Sequence, residues 1–591
     1  MSASATATAD NPFTLPTPLI VGLLLAVAVG SLWSLVDRGD GFGDMFEGTE
    51  PAEEVPAGSM FVRCDTGDNG NDGLSHANAK LTIAAATAAL TTTGQDIYLL
   101  EGEECNEQVN MQEGTSSNWS VIGAYYFDAD TAYVGLTDPG DLDNEDPGSR
   151  PIIRGTWNPT CVAAQNCPLP NAGAIPSSIS QALVDCNAED YCQIQDLYLT
   201  ETGGRFITAD AGAPSTDIST GFRMYRNYMY YGAWNVVIED GWREIHIDGN
   251  TMHKYNVCES EDAGWYTEDE QCASGGWPGG ILLGDLPRAY ALVENNRVYN
   301  GEGEAYNCLT SQYCYFRNNV SAGHHSGSIY ADTGDYVVRE GNILFGHPAA
   351  EAAANNRRAA DFGGTVTGAE DGQIQRSWAP DNTDRNLIRN NIIVGRGTGF
   401  NLSVESTVED EYTTTADVFG NTYYGIDVEA FDVNNKAGNG ANIENNIFVS
   451  RSLTDNCRYE GANSTPASIA NNYWDRTPDD TACIGTADVV GGSLNYPITP
   501  EQADDVGHVA IMGKSYGELI TDYGTPGSGS AVEGASKDRT STTLAYMAAA
   551  NWDWIPAYLG SEWREEALSH DIRGNARKAG GGSIGALETT P

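Results

Sequence analysis

Carboxylates that close short apolar phrases are the residues of this chain best placed to do chemistry. Asp240 follows Val236-Val237-Ile238, Asp285 follows Ile281-Leu282-Leu283, Asn307 follows Tyr306, Asp332 follows Ile329-Tyr330, and Asp361 ends the series. If each phrase is one strand of a repeating coil, these polar residues form a column, and Asp332 and Asp361 stand one repeat apart. Adjacent carboxylates push their pKa values apart, the condition for dividing acid and base roles in glycoside cleavage. The same column suits calcium, and it also reads as a solvated stack with no role. Histidines add groups that titrate near neutrality: His324-His325, His253 beside Lys254, and His347. Tyr306 and Tyr330, with Tyr228, Tyr230, Tyr231, Trp234 and Tyr299, offer faces for sugar rings, although half of any alternating series points inward. Arg357 and Arg358, in the insertion from Pro348 to Thr365, and Lys254 are the cations an anionic polymer would meet.

The elements that must position these residues are announced by asparagines. RNYMY, GNTMH, NNRVY, NNVSA, GNILF, NNIIV, GNTYY, NNIFV and NNYW place Asn227, Asn250, Asn296, Asn319, Asn342, Asn391, Asn421, Asn446 and Asn472 at one register. Three of the intervals are 23 residues, and the longer ones hold insertions, Val257 to Pro278 and Pro348 to Thr365 among them. Phrases of Val, Ile, Tyr and Phe with no amphipathic helix between them exclude helical repeats. A 23-residue period matches one rung of a parallel β-helix, each rung pairing with the next about 4.8 Å away. Asn suits the tight turn because it tolerates left-handed backbone, and its amide can bond the Asn above and below. Loops leaving one flank of such a coil wall a groove.

The residues then resemble a known group. Phe61-Val62-Arg63-Cys64, Lys80-Leu81-Thr82-Ile83 and Gly94 to Leu99 look like the entry of pectate-lyase-like β-helix proteins, and Asp571 to Asn575 with Ile584 to Glu588 resembles their ending. The resemblance implies an all-β, right-handed single-stranded parallel β-helix with a short N-terminal capping helix at Ile83 to Leu90. Asn300-Gly301-Glu302-Gly303-Glu304 is similar to the metal-binding stretch of the alginate and chondroitin lyase family, which implies that Glu302 and Glu304 hold calcium. That family's catalytic lysine and arginine fall at Leu309 and Ala331, neither a base.

Charge and cysteine usage set the surroundings. With 82 acids against 31 Lys and Arg, the formal charge of −51 excludes nucleic acid as a partner. Twelve cysteines fall into close neighbours, Cys64/Cys105, Cys161/Cys167, Cys186/Cys192, Cys258/Cys272, Cys308/Cys314 and Cys457/Cys483, none at metal spacing. Local pairs of this kind predict disulfides and an oxidising compartment. Residues 1–18 read as a tail, 19–36 as an uncharged transmembrane or signal-anchor segment, 37–58 as an acidic linker and 59–590 as the β-helix. The expectation is a cell-surface or secreted protein that binds, and in one reading cleaves, an extracellular polysaccharide with calcium as the one implied ion. The other reading is a non-catalytic rod for adhesion or assembly.

Overall fold

A computed structural model describes residues 53–155, 182–187, 189–202, 204–210, 219–232, 235–253, 255, 279–286, 288–301, 303–324, 327–346, 371–377, 383–395, 398–404, 414–426, 429–434, 442–451, 457–460, 468–503, 506–526, 530–531, 572 and 585–586. Among these, the alternating phrases become strands of three sheets, here called A, B and C, with 14, 13 and 11 strands. One rung visits the three in turn. Thr220–Tyr225 lies in A, Tyr228–Gly232 in B and Val236–Glu239 in C, and Arg243–Asp248 then stacks on Thr220–Tyr225 to begin the next rung. Strand pairing is parallel throughout, apart from the hairpin of Ser120–Asp128 with Thr131–Val134. This is a parallel β-helix, the all-β coil that the asparagine period predicts.

Period-two alternation builds the core. In sheet A, Ile194, Met224, Ile247, Val293 and Phe316 pair in register and are fully buried. Each such side chain withdrawn from water contributes about 1.5–3 kcal/mol. The next residue in that inward column is Arg339, between Phe316 and Ile388. Burial pulls its guanidinium down to about 9, against the partly restoring influence of Tyr423.

The asparagines form the predicted internal ladder between sheets A and B. Asn319 shows the unit. Its Nδ2 donates to Val293 O at 2.8 Å and to Asn342 Oδ1 at 3.1 Å, and its Oδ1 accepts from Asn296 N and Nδ2. The same bonding links Asn227, Asn250, Asn296, Asn319, Asn342, Asn391, Asn421, Asn446 and Asn472. Asp488 ends the series by accepting from Asn472 N at 2.8 Å. One detail differs from the sequence expectation. The left-handed residue is the one before each ladder Asn (Arg226, Gly249, Asn295, Asn318, Gly341, Asn390, Gly420, Asn445, Asn471). The ladder Asn is conserved in register by its amide bonds rather than by its φ.

The ends are closed differently. Helix Ile83–Ala89, capped by Thr82 Oγ1 accepting from Ala85 N, buries Ile83 and Ala86 against the first rung. At the other end, the chain after Val490 turns back along sheet B. Ile498 O accepts from Tyr424, Lys514 O from Arg297, and Tyr523 packs edge-on against Phe345. Disulfides join Cys64–Cys105, Cys186–Cys192, Cys308–Cys314 and Cys457–Cys483, with Cα separations of 5.3, 6.2, 6.6 and 6.2 Å. Cys161, Cys167, Cys258 and Cys272 lie outside the described residues, as does the segment 19–36. No helix among the described residues is long and apolar enough to cross a membrane.

Candidate functional site

Sheet C places the predicted carboxylates on two different columns rather than one. Asp332 is the last residue of its strand, in register with Leu309 before it and Arg376 after it. Its Oδ2 accepts from Tyr330 OH at 3.2 Å and its Oδ1 from Thr333 Oγ1 at 3.0 Å. Asp240 and Asp285 sit one position later, in the turn to sheet A, where both adopt left-handed backbone with φ of 56° and 52°. Asn307 belongs to the outward column between Leu282 and Tyr330. The register correction has a simple cause: a slip of one residue along a strand moves a side chain to another column and face.

What the turn gathers is an acidic group spread over four successive rungs. Asp210 pairs in register with Glu239, Asp185 lies one rung before, and Asp240 and Asp285 follow at the turn. The Asp210 and Asp240 carboxyls hydrogen-bond to each other. Asp240 is raised above the usual carboxylate value by partial burial, then by the charge and hydrogen bond of Asp210, with Asp285 adding to it. Burial raises Glu239 as well. Arg205, 3.8 Å away, opposes that shift, and Asp210, Asp240 and Asp285 reinforce it. Asp185 is raised mainly by burial, with Asp210 contributing. A carboxyl raised by burial and by contact with a second carboxyl, beside an exposed third, is an acid–base arrangement.

The remaining predicted residues divide cleanly. Tyr306 is wholly buried, its hydroxyl donating to Asn296 O and Val320 O, so it is core and offers no face to a sugar. Tyr330 is 9% exposed, too covered for a stacking platform. His324 is buried between Tyr255 OH at 2.7 Å and Val298 O at 3.0 Å, where no substrate reaches it. Glu304 is buried with Oε2 accepting from Asn307 Nδ2 at 3.1 Å. Its expected calcium partner Glu302 lies outside the described residues, as do Asp361, His325, Arg357, Arg358 and Lys254.

A second charged row on sheet A escaped the sequence reading. Asp248, Glu294, Arg317, Glu340 and Arg389 pair in register on successive rungs, facing outward beside the Asn turn. His246 Nε2 stands 3.0 Å from Glu294 Oε1, and Tyr225 OH lies 3.0 Å from its Nδ1. Burial pushes Glu294 up, but the His246 hydrogen bond and the Arg317 charge outweigh it and leave the carboxyl lowered. Asp248 is raised by burial and by Glu294. The signal is present as IDG, VEN, FRN, REG and IRN immediately before the ladder positions.

No protein-family description matches this sequence, and no curated protein matches it. Among solved structures it is similar to pectate lyase Pel9A, with 11% identity and a TM-score of 0.39 over 91% of this chain and 99% of that one. It is also similar to the catalytic domain of a GH87 alpha-1,3-glucanase, with 12% identity and a TM-score of 0.41 over 72% and 70%. A third likeness is to an alginate lyase from Paenibacillus sp., with 14% identity and a TM-score of 0.34 over 64% and 96%. Identities and scores at this level leave the site to be argued from this chain's own residues.

Proposed function

We propose that this protein is an exported β-helix that binds a polysaccharide along sheet C and cleaves it by acid–base chemistry at the Asp210/Asp240 pair. The observation that carries the reading is the contact of these two carboxyls, which helps hold Asp240 above the usual carboxylate value, with Asp285 exposed beside them. In this reading Asp240 supplies the proton to the glycosidic oxygen, and an ionised neighbour activates water or stabilises the sugar cation. Asp332, farther along the sheet, positions the chain of sugars. Four disulfides support passage through an oxidising compartment. An all-oxygen acidic surface repels an anionic glycan unless calcium intervenes, so a uronate polymer should need calcium and a neutral one should not.

The test is a screen of the purified full chain against neutral and anionic polysaccharides, with and without chelator. Retention, new reducing ends and unsaturated products would all be recorded. Cleavage that survives in Asp332→Asn with weaker retention, and disappears in Asp240→Asn, is the expected pattern. Absence of both binding and cleavage with every glycan would leave the rod, whose stiffness the continuous Asn ladder supplies.

A further inference from the structure

Away from sheet C, three elements remote in sequence meet on the outer side of sheet B. Strand Thr251–His253 supplies His253, and helix His508–Ile511 supplies His508. The turn after Leu142–Asn144 supplies Glu145, itself in a left-handed conformation. The candidate ligand atoms of the three all lie within 4.8 Å of one another. Glu145 Oε1 stands 2.6 Å from His253 Nδ1, and His253 is 4% exposed.

The surroundings hold this arrangement in place independently of any ion. Arg297, one rung on from His253, pairs with Asp143 of the same loop and donates through Nη2 to Lys514 O at 2.7 Å. Gly513 N donates to Asp143 O at 2.7 Å. Loop and C-terminal segment are thus docked on sheet B by contacts that involve none of the three candidate ligands.

Asn300 supplies the second observation. Its Nδ2 lies 3.0 Å from His253 Nε2 and 2.9 Å from His508 Nδ1. Its Oδ1 is buried with no hydrogen-bond partner among the described residues. A half-turn of this amide exchanges the two atoms. Oδ1 then accepts from the Nε2–H of His253, and the lone pair moves to Nδ1, the nitrogen that faces Glu145. An acceptor on the far ring nitrogen is how metal-bound histidines are oriented and made more basic.

From this geometry we infer that Glu145, His253 and His508 bind one zinc-class divalent transition-metal ion, with Asn300 positioning His253. Two imidazoles and one carboxylate suit zinc, whereas calcium takes oxygen ligands. Ligands about 2.0–2.2 Å from zinc in a tetrahedron stand about 3.3–3.6 Å apart, so Glu145 Oε1 and His253 Nδ1, now 2.6 Å apart, must separate to admit the ion. The ion clips the loop at residue 145 and the C-terminal segment to the coil. In the bound state the ring proton of His253 sits on Nε2 toward Asn300, which leaves the Nδ1 lone pair for the ion.

The experiment uses the full chain, stripped with chelator, and titrates Zn2+ by calorimetry and Co2+ by visible absorption. One ion per chain is expected, with cobalt d–d bands. His508→Ala should abolish the cobalt spectrum, and Asn300→Leu should weaken zinc about 10–100-fold. Glu145→Gln, nearly isosteric, serves where a histidine variant fails to fold, and it should also weaken zinc at least tenfold with unchanged circular dichroism. Failure to take up either metal, or uptake equal in wild type, His508→Ala and Glu145→Gln, would overturn the site.

Discussion

The outer rows of sheets A and C meet the same constraint and answer it in opposite ways. Parallel rungs bring equivalent side chains to within about 4.8 Å, so any charge is repeated against its neighbour unless the sequence changes sign. Sheet A changes sign: Glu294, Arg317, Glu340 and Arg389 alternate, and His246 attends the one like-charged step from Asp248 to Glu294. Arg389 Nη2 reaches Glu340 Oε2 at 2.9 Å in a wholly buried position. Sheet C does not change sign. Asp185, Asp210, Glu239, Asp240 and Asp285 gather with Arg205 as the guanidinium engaged with them among the described residues, and the cost appears as the raised carboxyls of Glu239 and Asp240. A charge row that is matched is a packing device. One left unmatched at a solvent edge is costly without a use, and perturbed carboxylates of that sort are where function concentrates.

The largest expected effect separates the two rows by activity. Asp240→Asn should lower cleavage of the substrate found in the screen by at least about 100-fold with the melting profile kept, as removal of an acid catalyst does. Asp248→Asn should leave the rate within about twofold of wild type, because nothing in its row faces a substrate. A collapse of activity in Asp248→Asn, with Asp240→Asn unaffected, would transfer the site to sheet A.

The next effect is on stability. Arg389→Ala leaves buried Glu340 with Tyr315 and only the charge of Arg317 on the rung before, and should cost about 3 kcal/mol in chemical denaturation. A loss below about 1 kcal/mol would mean that the alternating row is not what sheet A depends on. Asn319→Leu is a smaller lesion of the same kind. It leaves Asn296 N and Nδ2 without their acceptor and should cost about 1–3 kcal/mol. Asn319→Asp should be worse than an amide at this place, because a carboxylate cannot donate to Asn342 Oδ1.

The smallest effect is a slope. Asp240 and Glu239 are raised in the native state, so between their usual values, 3.8 and 4.5, and their native ones the folded chain binds more protons than the unfolded chain. Stability contributed by these groups therefore falls as pH rises through that window. Glu294, which is lowered, acts in the reverse sense: its contribution is present above 4.5 and is lost as pH falls through its native value. Denaturation midpoints between pH 4 and 7 should decline less steeply in Asp240→Asn than in wild type. An unchanged slope would remove Asp240 as a carboxyl raised in the folded chain.

Legibility in the sequence followed the chemistry of each repeat. An amide both donates and accepts, so one residue type can recur at every rung, and nine asparagines at one register expose the ladder in the sequence alone. Cysteine neighbours were equally plain for the four bridges described. The carboxylates were read as a single column because each ends an apolar phrase, and Asp332 took the central place. Counting along phrases does not distinguish the last strand residue, Asp332, from the first turn residue, Asp240 or Asp285. Tyr306 and His324 looked exposed because aromatic and imidazole side chains suit either face. The sheet A row was missed for the opposite reason: its residue types change from rung to rung, and alternation of sign hides a repeat that identity would reveal.

By itself the sequence determined the coil. Its period, strand composition, Asn register and cysteine pairs leave few other ways to bury the apolar phrases and satisfy the turn amides. Only the tertiary structure decided which side chains face each other across rungs. In Val338–Glu340, period-two alternation permits either Arg339 or Glu340 to face inward, and pairing with Phe316 and Ile388 sends Arg339 into the core. The meeting of Glu145, His253 and His508 was likewise beyond any reading along the chain, because residues hundreds of positions apart become neighbours only when the C-terminal segment folds back onto sheet B. Local pattern fixes what each rung is made of. The stacking of rungs, set by register and by where the ends of the chain dock, fixes what chemistry the rungs can do together.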